Sequence, residues 1–290
     1  IDSDGDGIVD AKDTDALDPR KTVDLNTEVG THSTEAKAVF ENLQSVGNLK
    51  LWLTASSENA VEKDANNKVS KWIDWSGNGY HAEQATNSAQ PLFEIGEKNH
   101  IDFDGVDDHM FGSKNDVHSN EDGLTVIVVS TGKNNGAIIN KYNYIDKKRQ
   151  WYLNTQKLSF QENTDPWSEN YEVSIQKEQS TGIRLGTWAP GEKIHYYYNG
   201  QFMNTSTNTL TDIPNEDNVI LIGAEHIGNP SSYGRFLNES INEILIVNKK
   251  LSGIEHILIN DYLNKKWGHE TTIDSDGDGI LDISDKEPLN

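Results

Sequence analysis

The hydrophobic rhythm of the chain changes several times along its length, and the changes mark out its elements. From Ser33 to Val46 apolar residues recur at Ala36, Val39, Phe40 and Leu43, the spacing of one helix face, with Ser33 as N-cap and Gly47-Asn48 as a stop. Beyond Gly47 the period drops to two. Leu49-Lys50-Leu51-Trp52-Leu53 alternates as a strand, Lys71-Trp72-Ile73 is a second before the Ser76-Gly77-Asn78-Gly79 turn, and His100-Ile101-Asp102-Phe103 runs into a tight turn at Asp104-Gly105. Leu124–Ser130 is apolar almost throughout, which predicts a strand covered on both faces. Further strands are predicted at Ala137–Asn140, Trp151–Asn154, Lys157–Phe160, Ile183–Gly186, His195–Tyr198, Val219–Gly223 and Ile241–Val247.

Asn199-Gly200, directly after three tyrosines, is the strongest hairpin signal, because both residues tolerate the left-handed backbone of a type I′ turn. A second helix is predicted after Ser252. Glu255 completes a capping box, Ile254, Ile257, Leu258, Tyr262 and Leu263 form its apolar stripe, Lys265 and Lys266 suit its negative end, and Gly268 closes it. Many short strands joined by Gly/Asn turns, with a helix at each edge, predict an all-β fold: a two-sheet antiparallel jelly-roll sandwich.

Composition sharpens this picture in three respects. Only 34% of residues are apolar, but 7 Trp, 10 Tyr and 7 Phe supply the bulky core material that a disordered polyanion lacks. The net charge of −22 and a longest basic run of Lys147-Lys148-Arg149 exclude nucleic acid as a partner, which requires a positive surface to displace counterions. The absence of cysteine excludes a disulfide scaffold, a thiolate nucleophile and thiolate zinc sites. No stretch has the length and apolarity of a membrane-spanning helix, so no membrane insertion is expected.

The acidic excess is concentrated partly in two short runs. Asp2-Ser3-Asp4-Gly5-Asp6-Gly7-Ile8-Val9-Asp10-Ala11-Lys12-Asp13 places oxygen donors at Asp2, Asp4, Asp6, Asp10 and Asp13 and a backbone carbonyl at Ile8. The same pattern returns as Asp274, Asp276, Asp278, Asp282 and Asp285 with the carbonyl of Ile280. This is the spacing of a calcium loop of the EF-hand kind, with Gly at the sharp turn, except that Asp replaces the usual bidentate Glu in the last position. Ca²⁺ is therefore the expected cofactor. The loops resemble thrombospondin type 3 repeats and their bacterial relatives, which implies calcium-dependent spacers in secreted or surface proteins. An extracellular or cell-surface location follows as an expectation. The chain starts inside the first motif, as a segment cut from a longer protein would, with neighbouring domains as partners.

The central segments Leu51-Trp52-Leu53-Thr54-Ala55, Lys71-Trp72-Ile73-Asp74-Trp75-Ser76-Gly77-Asn78-Gly79-Tyr80-His81-Ala82, Phe103-Asp104-Gly105-Val106-Asp107-Asp108, Tyr197-Tyr198-Asn199-Gly200 and Ile241-Asn242-Glu243-Ile244-Leu245-Ile246 occur in order. With Leu251-Ser252-x-x-Glu255 and Tyr262-Leu263-x-x-Lys266-Trp267 they resemble the laminin-G-like or concanavalin-A-like jelly roll of large bacterial surface proteins. The resemblance implies a calcium repeat at 1–19, a connector with a short helix at 20–47, the sandwich at 48–268 and a second, partial repeat at 269–290. Trp52, Trp72 and Trp267 fall at positions that look structural and are assigned to the core.

This architecture hosts lectins, adhesion modules and some glycanases, so function must come from the site. Glycan hydrolysis needs two opposed carboxylates, about 5–5.5 Å or about 6.5–9.5 Å apart. Glu169 with Glu172, and Glu239 with Glu243, have poor spacing for one strand face, and no Glu-x-Asp-x-x-Glu strand, His-Glu-x-x-His or Gly-x-Ser-x-Gly motif is present. A non-catalytic module is expected. Sugar binding calls for exposed aromatic faces beside planar polar groups. Trp167 and Tyr171, among Asn163, Asp165, Glu169 and Asn170, and Trp188, before the Ala189-Pro190-Gly191 turn, are the candidate contacts. Asp104, Asp107 and Asp108 are the candidates for a rim calcium, or else cap the backbone of their own turn. The expected ligand is a glycan or a cell-surface protein; a protein adhesin or pure spacer and, after them, a glycan-active hydrolase or lyase of the concanavalin-A-like fold stand as alternatives.

Overall fold

Two antiparallel sheets form the body of the fold. The computed structural model describes residues 24–115, 117–132, 136–143, 148–160, 171–175, 181–214, 216, 218–227, 232–269, 274, 278–281 and 284–286. One sheet has eight strands, in the order Gln201–Leu210, Glu192–Tyr198, Thr181–Trp188, Leu124–Thr131, Ser240–Val247, His100–Asp102 and Leu92–Glu94, with Leu49–Thr54 also paired to Ser240–Val247. The other has nine: Glu172–Ser174, Lys157–Phe160, Lys148–Asn154, Ala137–Asn143, Leu221–Ile222, Met110–Phe111, Ala82–Glu83, Val69–Trp72 and Val61–Lys63. The fold is thus the all-β antiparallel sandwich that the strand pattern predicts.

The main core lies between the sheets, where Trp72, Met110, Val126, Ile139, Trp151, Leu153, Ile222 and Ile244 are all buried. A Cβ on Gly186 would lie 2.4 Å from Leu158 of the facing sheet, so glycine there lets the layers close. A second core covers the outer face of the eight-stranded sheet. Helix α1 (Leu25–Glu28), helix α2 (Thr34–Ser45) and helix α3 (Gly253–Trp267) bring Leu25, Ala36, Phe40, Ile259, Tyr262 and Trp267 against Trp52, Ile127, Val129, Ile183 and Leu245. That second layer is why Leu124–Thr131 shows no alternation: it is apolar towards the other sheet on one side and towards helices on the other.

Local signals set the helix ends as expected. Ser33 Oγ accepts from the Ala36 amide at 3.2 Å, Ser252 and Glu255 form a reciprocal capping box, and Gly268 closes α3 with φ of 75°. Ile254 departs from its expected place in the buried stripe. It is exposed, because the buried face of α3 begins a turn later, at Ile259, Tyr262, Leu263, Lys266 and Trp267. Among the described residues no helix is long and apolar enough to cross a membrane.

The helices leave the outer face of the nine-stranded sheet to other cover. The strand registers place one row of side chains across that face: Glu62, Lys71, Glu83, Phe111, Leu221, Asn140, Tyr152, Ser159 and Glu172. The neighbouring row, with Trp72, Ala82, Met110, Ile222, Ile139, Leu153, Leu158 and Val173, points into the core. Apart from the buried Leu221 the outward row is polar or aromatic, and it carries the candidate site.

Candidate functional site

A cleft of about 640 Å³ opens at the strands Ala82–Glu83 and Met110–Phe111, lined by Asn78, Tyr80, His81, Glu83, Phe111, Ser113 and Asn115. Period-two alternation builds it: Met110 points inward and is fully buried, so His109 and Phe111 on either side point outward. Tyr80 rests partly on the inter-sheet core, and the Tyr80 amide donates to Asp74 Oδ2 at 2.8 Å. Asp74 is the hub of this turn. It also accepts from the Trp52 amide at 2.9 Å, the Ser76 amide at 2.9 Å and the Ser76 hydroxyl at 2.8 Å, while burial raises its pKa.

His81 is fixed in one tautomer. Its Nδ1 accepts from the Asp74 amide at 3.0 Å, so the proton of the neutral ring sits on Nε2 as a donor. Burial, then the charge of Lys71, lower its pKa, so it is neutral at pH 7. The cleft therefore offers two aromatic rings, a neutral imidazole, side-chain amides, a hydroxyl and a carboxylate.

Beside Phe111 runs a band of rings. The short hairpin of Glu225–His226 and Tyr233–Gly234 lays Tyr233 over the sheet, with ring centroids 5.4 Å from Phe111, 4.8 Å from His109 and 4.8 Å from His226. Phe236 adds a further ring 6.1 Å from His109. Edge-on and tilted contacts of this kind hold the rings in place while Phe111, Tyr233 and Phe236 stay partly exposed.

Next to the band, His109 Nδ1 donates to the carbonyl of Asp107 at 2.7 Å and so touches the acidic turn. Asp104, Asp107 and Asp108 do come together, with one carboxylate oxygen of each within 4.8 Å of the others. Asp104 Oδ1 accepts from the amides of Val106 at 2.8 Å, Asp107 at 3.3 Å and Asp108 at 3.4 Å, and the Asp104 amide donates to Asp108 Oδ2 at 3.2 Å. Backbone capping is thus what the turn shows. Burial works against the Asp104 charge, but its amide donors hold its pKa low; burial and the Asp104 charge push Asp108 up to about 6. Lys68 stands 3.8 Å from Asp108 and already supplies a cation there.

The predicted aromatic contacts fare differently. Trp188 must be corrected: it is fully buried, its indole donates to the Leu210 carbonyl at 2.9 Å, and its ring meets Phe160 edge-on. The turn that follows it is exposed, but the strand carries the side chain inward between the sheets, where no ligand reaches it. Tyr171 is half-buried against the inter-sheet core, with its carbonyl accepting from Ser159 Oγ at 3.2 Å. Trp167 lies outside the described residues. Trp52, Trp72 and Trp267 are core residues as assigned.

Of the terminal loops, the first, with Asp2, Asp4, Asp6, Ile8, Asp10 and Asp13, lies outside the described residues, as do Asp276 and Asp282 of the second. In the second, Asp274 is buried and its carboxylate accepts from the amides of Asp278 at 3.1 Å and Gly279 at 2.8 Å. Gly279 has φ of 95°, and the Ile280 amide donates to Asp278 Oδ1 at 2.7 Å. Gln201 Nε2 reaches Asp274 Oδ2 at 3.4 Å. A Cβ on Gly200 would lie 2.5 Å from the Asp274 carbonyl, so the loop starts in direct contact with the Asn199-Gly200 hairpin.

Of the carboxylates weighed for hydrolysis, Glu169 lies outside the described residues and the other three are engaged elsewhere. Glu243 is sealed between Trp52, Tyr262, Lys266 and Trp267, Glu239 faces the buried Arg184 at 3.8 Å, and Glu172 accepts from Tyr152 and Lys157, each at 2.6 Å. Sequence reasoning missed Tyr80, Phe111 and Tyr233. The alternation of His109, Met110 and Phe111 is the one local signal that marks an outward aromatic pair.

No protein-family model matches the chain, and no curated protein matches it. Solved structures do share its fold. The botulinum neurotoxin serotype C1 binding domain superposes with a TM-score of 0.52 at 17% identity, over 78% of this chain and 53% of that one. A structure of botulinum neurotoxin type C, a toxin that depends upon interaction with two ganglioside molecules to get into cells, gives 0.50 at 15% identity, over 76% and 52%. Trypanosoma rangeli sialidase in complex with sialic acid gives 0.48 at 14% identity, over 76% and 33%. This chain thus spans about half the length of the toxin chains and a third of the sialidase. The likeness to the toxin domains is one of fold, a β-sandwich.

Proposed function

We propose that this chain is a non-catalytic carbohydrate-binding module of a secreted or surface protein, laminin-G-like in its sandwich and stiffened by calcium in thrombospondin type 3-like loops at its ends. The observation that carries the reading is the cleft at Tyr80, His81 and Phe111. It combines aromatic faces for the apolar side of a sugar ring with the Asn115 amide, the Ser113 hydroxyl and the Asn78 side-chain oxygen, whose own NH2 donates to the carbonyls of Leu49 and Lys50, for its hydroxyl groups. The engagement of Glu172, Glu239 and Glu243 in structural contacts supports binding over hydrolysis.

The turn in the described part of the second loop supports the calcium reading. The chain turns round the Asp274 carboxylate through hydrogen bonds from two backbone amides, with glycine at the left-handed position. When bound, Ca²⁺ would neutralise the carboxylates of Asp274, Asp276, Asp278, Asp282 and Asp285, with the Ile280 carbonyl completing the set. Asp2, Asp4, Asp6, Ile8, Asp10 and Asp13 would do the same in the first loop. The turn of Asp104, Asp107 and Asp108 is a third place for a cation, in competition with Lys68.

The test is a glycan array probed in calcium and in EDTA, with the wild type and Phe111→Ala side by side. Binding that is lost in Phe111→Ala supports the module and its site. No glycan bound in either condition overturns it and leaves protein adhesion or spacing.

A further inference from the structure

We propose that the cleft and the adjoining ring band take a polysaccharide chain that carries no acidic groups, and that sialylated and sulfated glycans are excluded from them. This rests on the carbohydrate-binding reading above and goes beyond it by naming the ligand class.

Geometry sets the length of the ligand. Phe111 belongs to both features: it lines the cleft with Tyr80 and His81, and its ring is 5.4 Å from Tyr233, which lies 4.8 Å from His226. The aromatic surface is therefore continuous from the cleft to the Glu225–His226 and Tyr233–Gly234 hairpin, and it stays partly exposed along the way. A single terminal sugar covers one ring. Successive rings turned 70° and 51° to one another present faces and edges in turn, a surface that suits several linked sugars rather than one.

Charge sets the chemistry. Glu83 is exposed in the cleft and stands opposite Phe111 in the strand register. At the other end the exposed Asp104 and the half-exposed Asp107 lie beyond His109. An acidic sugar would meet negative charge at both ends. Among the described residues, Lys71, Lys68 and Arg235 face carboxylates, while Lys114, exposed between Ser113 and Asn115, is the cation the cleft rim keeps. Lys71 lies between Glu62 at 3.5 Å and Glu83 at 3.8 Å, Lys68 lies 3.8 Å from Asp108, and Arg235 lies 3.4 Å from Glu225. Burial, then the charge of Lys71, lowers the pKa of His81, whose Nδ1 accepts from the Asp74 amide, and burial followed by the charge of His109 lowers the pKa of His226. Against the cation Lys114 stand Glu83, Asp104 and Asp107, so the surface is acidic on balance and its remaining acceptors and neutral donors match hydroxyl groups rather than an acid group.

The experiment is calorimetric titration of the whole chain, in calcium, with two probe sets. The neutral set is cellohexaose, mannohexaose and N-acetylchitohexaose, each with its triose; the acidic set is sialyllactose and a heparin hexasaccharide. The expected result is a neutral hexaose bound roughly tenfold or more tighter than its triose, with a loss of similar size in Phe111→Ala and in Tyr233→Ala. The acidic probes stay unbound, and Glu83→Lys lets sialyllactose bind. Because the ring variants touch packed neighbours, the exposed Asn115→Ala serves as a second cleft variant, with circular dichroism as the folding control. An acidic glycan bound by wild type and lost in Phe111→Ala overturns the ligand class while leaving the module reading intact. Equal affinity for hexaose and triose overturns the chain-binding surface. Failure of every probe removes the carbohydrate reading and this inference with it.

Discussion

Lys266 and Glu243 meet at 2.6 Å beneath α3, with the indoles of Trp52 and Trp267 and the hydroxyl of Tyr262 all donating to the same carboxylate. Lys266 also donates to Thr54 Oγ1 at 3.0 Å and pairs with Glu28 of α1. One carboxylate thus collects a strand from each end of the chain, the last helix and, through Lys266, the first.

Removing one partner of such a buried pair leaves the other uncompensated. Lys266→Met is expected to cost about 3–5 kcal/mol of folding stability. Urea unfolding followed by tryptophan fluorescence measures this; a loss below about 1 kcal/mol would mean the pair is solvated and peripheral.

Trp188→Ala removes a fully buried ring between the sheets and should cost about 3–5 kcal/mol. Glycan affinity per folded molecule should be unchanged, because the indole faces the core. A selective loss of binding with normal stability would return Trp188 to the ligand surface.

His256 gives the chain a dependence on pH. Burial lowers its pKa to about 4, below its ordinary value of 6.5, with its ring 4.4 Å from that of Tyr197. The unfolded chain takes up this proton first as pH falls, so the contribution is fully present above about 6.5 and is lost progressively towards pH 4. The loss is at most about 3 kcal/mol. His256→Phe should flatten the difference in urea midpoint between pH 7 and pH 5 relative to wild type. An unchanged difference would rule His256 out as its source.

Calcium removal should act at the ends of the chain. With EDTA, limited proteolysis is expected to cut first between residues 274 and 286, and Asp274→Asn should reproduce this sensitivity in calcium. Identical digestion with and without chelator would dismiss the loop as a cation site.

The parts of the fold that could be read from sequence are those governed by near neighbours. Helix caps at Ser33 and Ser252 and the left-handed Asn199-Gly200 turn depend on a few adjacent residues, and Leu124–Ser130 shows its double burial directly in its composition. The strand Gln201–Leu210 was not legible, because it lies at a sheet edge, is mostly exposed and so shows no alternation. Trp188 was misread because a polar turn says nothing of which way the preceding strand faces. The ring band was hidden for a different reason. Phe111 and Tyr233 meet only because Leu221–Ile222 pairs with Met110–Phe111, which brings the hairpin that follows it over the sheet. No local pattern reports a pairing over that separation.

The one-sided cover of the sandwich has a mechanical consequence. Glu28 is tied to Lys266 of α3, and a Cβ on Gly200 would meet both the Asp274 carbonyl and Asn260 of α3, so residues 28 and 274 are both anchored on the helix side. A pull applied between these points runs through the helices and the eight-stranded sheet. The cleft meets that path on one rim only, where Asp74 accepts from the Trp52 amide and Asn78 donates to the Leu49 carbonyl, so tension on the chain reaches the cleft through the Asp74–Asn78 turn.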